Sequence, residues 1–358
     1  MLGDGQRISE AEAPHQEPAQ APSQAELDRR AADSTRRLRN GLVSLAVLVV
    51  LVVGLLLAIP GLHGVGQTVT HMQAGWLVVA VVLEILSCLG YVLAFLQVFE
   101  RAPLRFGARV ALSELAFGAA VSLGGAGSVA LGGWLLVERG GPVKRVAERS
   151  TVLFLLTSAI NVFTFALAGL LLSLDLISGP GNVLLGLIPC VVAVAAIVFF
   201  LALPRIIEGS ATRKLPRKVY VVLSTLAAGI RGTEELLRHP DWRIIGAIAF
   251  LWCDIAVLMA CFAAAGVSAP LLAVVLAYQL AYMSNILPIP GNIGVLDGSM
   301  VGALVLYGLP ATKAAAAVIV YHAIALWIPA VWGTIAFLVV RRSRGEPLTL
   351  REPRRGRA

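Results

Sequence analysis

The sequence predicts an all-α protein: a polytopic transmembrane helix bundle of six full spans plus two re-entrant helical hairpins, arranged as an inverted repeat. Three observations carry that expectation. Of the 358 residues, 58% are apolar and only 14% charged, where a soluble domain carries about 25% charged residues. The charges are bunched between long uncharged runs, which separates membrane spans from an apolar globule. Two of the runs carry internal breaks that a simple crossing helix does not explain.

Taken in order, residues 1–40 are rich in Ala, Glu, Gln, Pro and Arg with few large apolar side chains. Such a segment buries too little surface to offset its ordering entropy, so a disordered cytoplasmic tail is expected. It ends in Arg29, Arg30, Arg36, Arg37 and Arg39, and the run 41–59 reads as a retained first helix. The transmembrane domain is expected over 41–340, with a basic cytoplasmic tail over 341–358. Further apolar runs fall at about 74–99, 110–137, 150–174, 182–203, 244–265, 271–308 and 314–340. The single-span runs suffice for ~30 Å of hydrocarbon. Run 110–137 is interrupted by Gly124-Gly125-Ala126-Gly127, and run 271–308 by Pro288-Ile289-Pro290-Gly291-Asn292.

The distribution of cations decides how these two runs are placed. Basic residues of short loops stay on the cytoplasmic side. If both broken runs dip in and return, 28 of the 29 Lys and Arg lie on one side, all but Lys313. The order helix, hairpin, helix then occurs twice with opposite orientation, the architecture of secondary transporters with broken helices meeting near the midplane. Irregular backbone at that depth must be buried in protein or line a wet cavity. Within 204–243, Val219, Val222, Leu226, Ile230 and Leu237 lie near one helical face. They predict a helix packed on the cytoplasmic end of the bundle, or one lying on headgroups.

Ionisable residues at membrane depth are few and tend to face a cavity or a partner. Glu84, beside Ser87 and Tyr91, reads equally as a neutral hydrogen-bonded group. Glu114 reads as a structural residue at the interface, paired with Arg109. Asp254 is as compatible with transport as with structural pairing. Asp297 follows the second break closely and leads the candidates. His322 is either a core histidine or a functional one. The cluster Gly124, Gly125 and Gly127 could serve close helix packing alone. At Pro288-Ile289-Pro290-Gly291 two backbone donors are missing, so a break is required. A half-helix starting there offers free N–H groups to an anion such as phosphate. Arg149 or protonated His322 is the expected counter-cation. Asp297 opposes an anionic ligand unless it is neutral, paired to His322, or facing the amine of a zwitterionic headgroup.

The stretch from Leu287-Pro288-Ile289-Pro290-Gly291-Asn292-Ile293-Gly294 to Asp297 resembles the Pro-x-Pro-Gly-Gly-x-Gly-x-x-Glu tip of the lysylphosphatidylglycerol synthase transmembrane-region family, flippase-like membrane proteins. Tyr307-Gly308-Leu309-Pro310, Tyr321-His322, Trp327-Ile328-Pro329 and Gly333 extend the resemblance, and Glu148-Arg149 resembles the start of the helix after the first hairpin. Asn292, Asp297 and His322 stand where that family often has Gly, Glu and Arg. The breaks, the ionisable residues at depth and the resemblance together give an expected substrate site over Pro288, Pro290, Gly291, Asn292, Gly294, Asp297, Gly124, Gly125, Gly127, Arg149, Asp254 and His322. The resemblance implies lipid translocation in the bacterial cytoplasmic membrane, with both termini cytoplasmic. Fused members carry a soluble aminoacyl-transferase domain after the membrane part, and residues 341–358 are too few for one. No enzymatic activity is expected.

Formal net charge is +8. The arginines flank apolar runs without the aromatic interleaving of a base-stacking platform, so no nucleic acid is expected. The expected partners are membrane phospholipids and anionic headgroups at the cytoplasmic face. Cys88, Cys190, Cys253 and Cys261 fall singly inside apolar runs, and zinc and phosphate-loop signatures are missing, so neither metal nor cofactor is expected. Competing with lipid translocation are a small-solute or ion-coupled secondary transporter and a non-catalytic accessory subunit of lipid or envelope synthesis. A cavity with a lateral opening to lipid favours the first reading, a sealed aqueous vestibule the second.

Overall fold

The structure is a computed structural model that describes residues 63–100, 102–120, 126–174, 183–207, 216–283 and 295–342. Its regular elements are helices: α1 (His63–Thr70), α2 (Ala74–Val98), α3 (Leu104–Ala120), α4 (Ala126–Glu138), α5 (Val143–Ser173), α6 (Leu184–Ile207), α7 (Arg217–Arg238), α8 (Ile245–Ala264), α9 (Leu271–Met283), α10 (Val295–Leu306) and α11 (Ala311–Arg342), with one 3-10 turn (Trp242–Ile244) leading into α8. In hydrocarbon no water meets backbone N–H and C=O groups, so an apolar run must bond internally as a helix. Five helices, α2, α5, α6, α8 and α11, are long and apolar enough to cross a membrane. The chain is a multi-pass membrane protein. The expected span 41–59 lies outside the described residues, as does the expected break at Pro288–Asn292; of the break expected at Gly124–Gly127, Gly124 and Gly125 lie outside them while Ala126 and Gly127 begin α4. The uncharged stretch expected as a plain loop before α2 contains α1, whose Val65 is buried.

Four helices recur in order and length. They begin at residues 74, 104, 126 and 143 in the first set and 245, 271, 295 and 311 in the second, a displacement of 167 to 171 residues. The turns repeat too. Gly140 (φ 91°) ends α4 and Gly308 (φ 92°) ends α10. In the first, Gly141 N–H donates to Leu136 O (3.0 Å); in the second, Leu309 N–H donates to Leu304 O (3.0 Å). Pro142 and Pro310 follow at the same offset. A left-handed residue at a helix C-terminus favours glycine, and proline just beyond it starts the next helix.

Side-chain contacts fix which helix ends lie together. The Arg139 guanidinium lies 5.0 Å over the Phe106 ring and donates to Val340 O (3.1 Å). Arg341 meets the Glu138 carboxylate at 3.1 Å. The start of α3, the end of α4 and the end of α11 therefore share one end of the bundle, where basic residues collect. At the other end Gln73 N–H donates to Ala264 O (3.0 Å). Lys313, the cation that the charge analysis leaves on the far side, donates to Ala265 O (3.1 Å). There it caps the negative C-terminal end of α8.

α2 and α8 run antiparallel in close backbone contact. A Cβ built on Gly90 would lie 2.8 Å from Gly246 O, and one on Gly246 would lie 2.7 Å from Gly90 O. Gly169 of α5 and Gly186 of α6 repeat this reciprocal contact at 2.7 and 2.6 Å. One apolar core gathers around α8, α9, α10 and the first half of α11. A second gathers around the last half of α2, α3, the start of α5 and the end of α11. α7 packs on α5 through its second half, where Ala227 and Ile230 are buried and Gly232 faces Val152. Val219, Val222 and Leu237, expected on the packed face, are exposed. The glycines that let α7 approach α5 displace the contact from the stripe of large side chains.

A Cβ at Gly90 would also lie 2.6 Å from Phe250 N, so backbone must move to admit it. Gly90→Ala is expected to destabilise the protein by about 1–3 kcal/mol, read as a lower thermal unfolding midpoint in detergent. Gly75→Ala on the same helix, with nothing within 4 Å of its Cβ, is expected to leave the midpoint unchanged.

Candidate functional site

The α2–α8 contact sets what lies above it. Ser87 Oγ donates to Phe250 O (2.8 Å), and one turn further the Glu84 and Asp254 carboxyl groups come within interaction range. They line a cavity of about 250 Å³ between the two cores, with Ser87, Tyr278, Tyr282, Tyr321 and His322 as its other polar walls. Asp254 Oδ2 accepts hydrogen bonds from Tyr278 Oη and from Tyr321 Oη (3.0 Å). The two tyrosine rings meet edge to face at 6.3 Å. Glu84 Oε1 accepts a weak bond from Cys88 Sγ (3.7 Å).

His322 Nδ1 stands 2.9 Å from Asp297 Oδ1. Asp297 occupies the first turn of α10, where the helix N-terminus favours a carboxylate. Of the three ways to reconcile Asp297 with an anionic ligand, the geometry supplies the pairing with His322. His322 Nε2 is buried without a hydrogen-bond partner among the described residues.

The structure brings Asp254, Asp297 and His322 together and adds residues that the sequence did not single out as a site. Glu84 was legible only as a buried acid of ambiguous role. Tyr278 and Tyr282 are four residues apart and so share one face of α9, but tyrosines in an apolar run carry no signature of their own. Arg149 is exposed on α5 and is absent from the cavity wall, so the structure does not supply the expected counter-cation from that helix. Gly127 is the second residue of α4. Gly124, Gly125, Pro288, Pro290, Gly291, Asn292 and Gly294 lie outside the described residues, and with them the phosphate-docking N–H groups.

Glu114 corrects an expectation. It is fully buried rather than interfacial, and its partner is Tyr91, whose Oη donates to Glu114 Oε2 (2.7 Å), not Arg109. Its carboxyl fills the space that a side chain at Gly132 would need, which lets α3 and α4 pack closely. Among the described residues no cluster of three His, Cys, Asp or Glu could hold a metal ion.

A second cavity, about 690 Å³, opens among α5, α6 and α7. Its walls include Phe154, Phe163, Phe200 and Leu201, all substantially exposed. Glu234 and Arg238, ion-paired with each other, stand at its polar edge. Tyr282 belongs to the walls of both cavities.

The profile of the family described as lysylphosphatidylglycerol synthase TM region matches residues 41–333. The chain belongs to that family. No match was found among curated proteins.

Tyr91→Phe removes the hydrogen bond to Glu114 without changing shape. The unmet buried acceptor is expected to cost about 1–3 kcal/mol, seen as a lower unfolding midpoint. Tyr220→Phe, at an exposed tyrosine of α7, is expected to be silent.

Proposed function

We propose that this member of the lysylphosphatidylglycerol synthase TM-region family translocates a polar-headgroup phospholipid between the leaflets of the bacterial cytoplasmic membrane. The observation that carries the reading is the wall shared through Tyr282 by a polar cavity at mid-depth and an apolar groove among α5, α6 and α7. A lipid presents that combination, a headgroup that needs polar partners and acyl chains that need an apolar wall. A small solute needs only the first cavity.

In this reading residues 104–138 and 271–306 are re-entrant hairpins, entered from opposite faces, and the two four-helix sets form an inverted repeat. The first hairpin enters and leaves at the Arg139–Phe106 end; the second lies toward the Lys313–Ala265 end. With the basic end cytoplasmic, as charge bias requires, both termini lie inside. The described cavity wall carries two carboxyl groups, Glu84 and Asp254, and no Lys or Arg, and Asp297 stands behind His322. That favours a headgroup with a cationic part, such as an amine, over a phosphate alone.

The test uses proteoliposomes with fluorescent phospholipids. Ala325→Trp in the polar cavity and Ser158→Trp in the apolar groove are each expected to slow lipid translocation at least about tenfold while the unfolding midpoint stays put, the loss expected when a binding pocket is filled. Full activity with Ser158→Trp would return the small-solute reading. For orientation, Arg145→Cys in a cysteine-free background is expected to resist an impermeant thiol reagent added outside intact cells. Labelling there would make residues 104–138 a full crossing.

The pair Asp297 and His322 can be separated from folding. Asp297→Asn keeps size and polarity at the start of α10 and is expected to lower transport several-fold without loss of expression. Normal transport by this variant would make the pair structural.

A further inference from the structure

The lipid reading leaves one feature of the cavity unused. Glu84 and Asp254 face each other across two helices whose backbones touch, so neither helix can withdraw its carboxyl without breaking the Gly90–Gly246 contact. Asp254 directs Oδ2 to Tyr278 and Tyr321, and Glu84 directs Oε1 to Cys88. The other oxygen of each, Asp254 Oδ1 and Glu84 Oε2, is buried with no hydrogen-bond partner among the described residues. Glu84 itself is 4% exposed yet lines the cavity.

Two facing carboxyl groups repel when both are charged, and two buried acceptors without donors are costly. The described surroundings remedy this only in part, through Tyr278 and Tyr321 at one oxygen of Asp254 and Cys88 at one oxygen of Glu84. α8 adds Cys253 beside the pair, α9 adds Tyr278 and Tyr282, and α11 adds Tyr321 and His322. His322 is engaged with Asp297 of α10. α3 contributes Leu115, Gly118 and Ala119, and its Glu114 is held by Tyr91. α5 puts no residue on this wall.

We propose that Glu84 and Asp254 form a proton-binding site whose loading and release are coupled to lipid movement. A proton held between the two groups supplies the missing donor and removes one negative charge. Among the described residues no group of three His, Cys, Asp or Glu could hold a metal ion, and a single proton meets the orphaned oxygens of both groups at once. The step balances simply. The pair takes one H⁺ from water when the cavity opens to one face and returns the same H⁺ to water at the other. No bond to the lipid is made or broken, and each cycle carries one positive charge across. This inference rests on the lipid-transport reading.

The experiment uses full-length protein in vesicles of phosphatidylethanolamine and phosphatidylglycerol with a trace fluorescent phospholipid, the membrane potential clamped by potassium and valinomycin. With one proton per lipid, a gradient of one pH unit supports a leaflet asymmetry of about tenfold at equilibrium. Wild-type protein is expected to develop that asymmetry and to carry protons, read by a pH dye inside the vesicle. Glu84→Gln and Asp254→Asn are expected to abolish the proton flux and the asymmetry. Lipid equilibration by the wild type that ignores the pH gradient would overturn the proton site and leave lipid transport standing. Dependence on a sodium gradient instead would also overturn it. No lipid movement under any gradient would overturn the transport reading itself. Because the variants could fail to fold, infrared difference spectra of the wild type between high and low pH give a second reading. A protonated-carboxyl C=O band that changes with pH and shifts in D₂O is expected, and its absence would overturn the proposal.

Discussion

The contact between α2 and α8 governs what the rest of the bundle can do. In hydrocarbon, apolar side chains gain little by leaving lipid for a neighbouring helix, so association depends on close packing and polar contacts. Gly90 and Gly246 provide it by letting each backbone lie against the other's carbonyl oxygen. Because the helices run antiparallel, this one contact sets the register along their whole length. It matches Ser87 to Phe250 O, Glu84 to Asp254 and Gln73 to Ala264 O. A polar cluster at mid-depth is thus a consequence of where two glycines sit, about two helical turns away. The Gly169–Gly186 contact plays the same part for α5 and α6, which form a wall of the apolar groove.

The ends of the bundle answer a different constraint. Cations are expensive in the membrane interior, and Arg139, Arg341 and Lys313 find their partners at helix ends. Arg139 and Arg341 tie α4 to the end of α11, while Lys313 satisfies a carbonyl oxygen just beyond α8. The cavity between these ends lacks Lys and Arg altogether among its described walls. Paired cations stand at the rims with acidic partners such as Glu138, and the middle of the bundle holds carboxyl groups without Lys or Arg on the described cavity wall.

Much of the fold was legible because its signals are local. Apolar runs gave five spans now seen as helices, and the glycine and proline interruptions anticipated that α3 and α4, and α9 and α10, would be separate short helices. The order of helices recurs at a displacement of 167 to 171 residues, with paired turns at Gly140 and Gly308. What stayed hidden depends on which helix faces which. Arg109 is nearer in sequence to Glu114 than Tyr91 is, yet Tyr91 holds it, because α2 packs against α3 and presents the hydroxyl. Glu84 gains its meaning only from Asp254, which follows it by 170 positions. The spacing of Val219, Val222 and Leu237 predicted burial by period, but Ala227 and Gly232 hold the contact with α5, where their small size lets the two backbones approach closely.

The position of the two cores has a mechanical consequence for a translocator. One core lies toward the Lys313 end and the other toward the Arg139 end, with the polar cavity between them. To open the cavity to one face, one core must part while the other stays closed. Packed cores are bistable rather than continuously deformable, so the proposed translocation assigns each the part of a gate. Helices joined by backbone-to-backbone contact cannot slide far without collision, so under the proposed translocation the shorter helices α3, α4, α9 and α10 are the candidates to move. His322 and Asp297 join α11 to α10, and Tyr278 and Tyr321 join α9 and α11 to Asp254 on α8. A change of charge or ligand at those groups therefore acts on α8, α9, α10 and α11 at the same point.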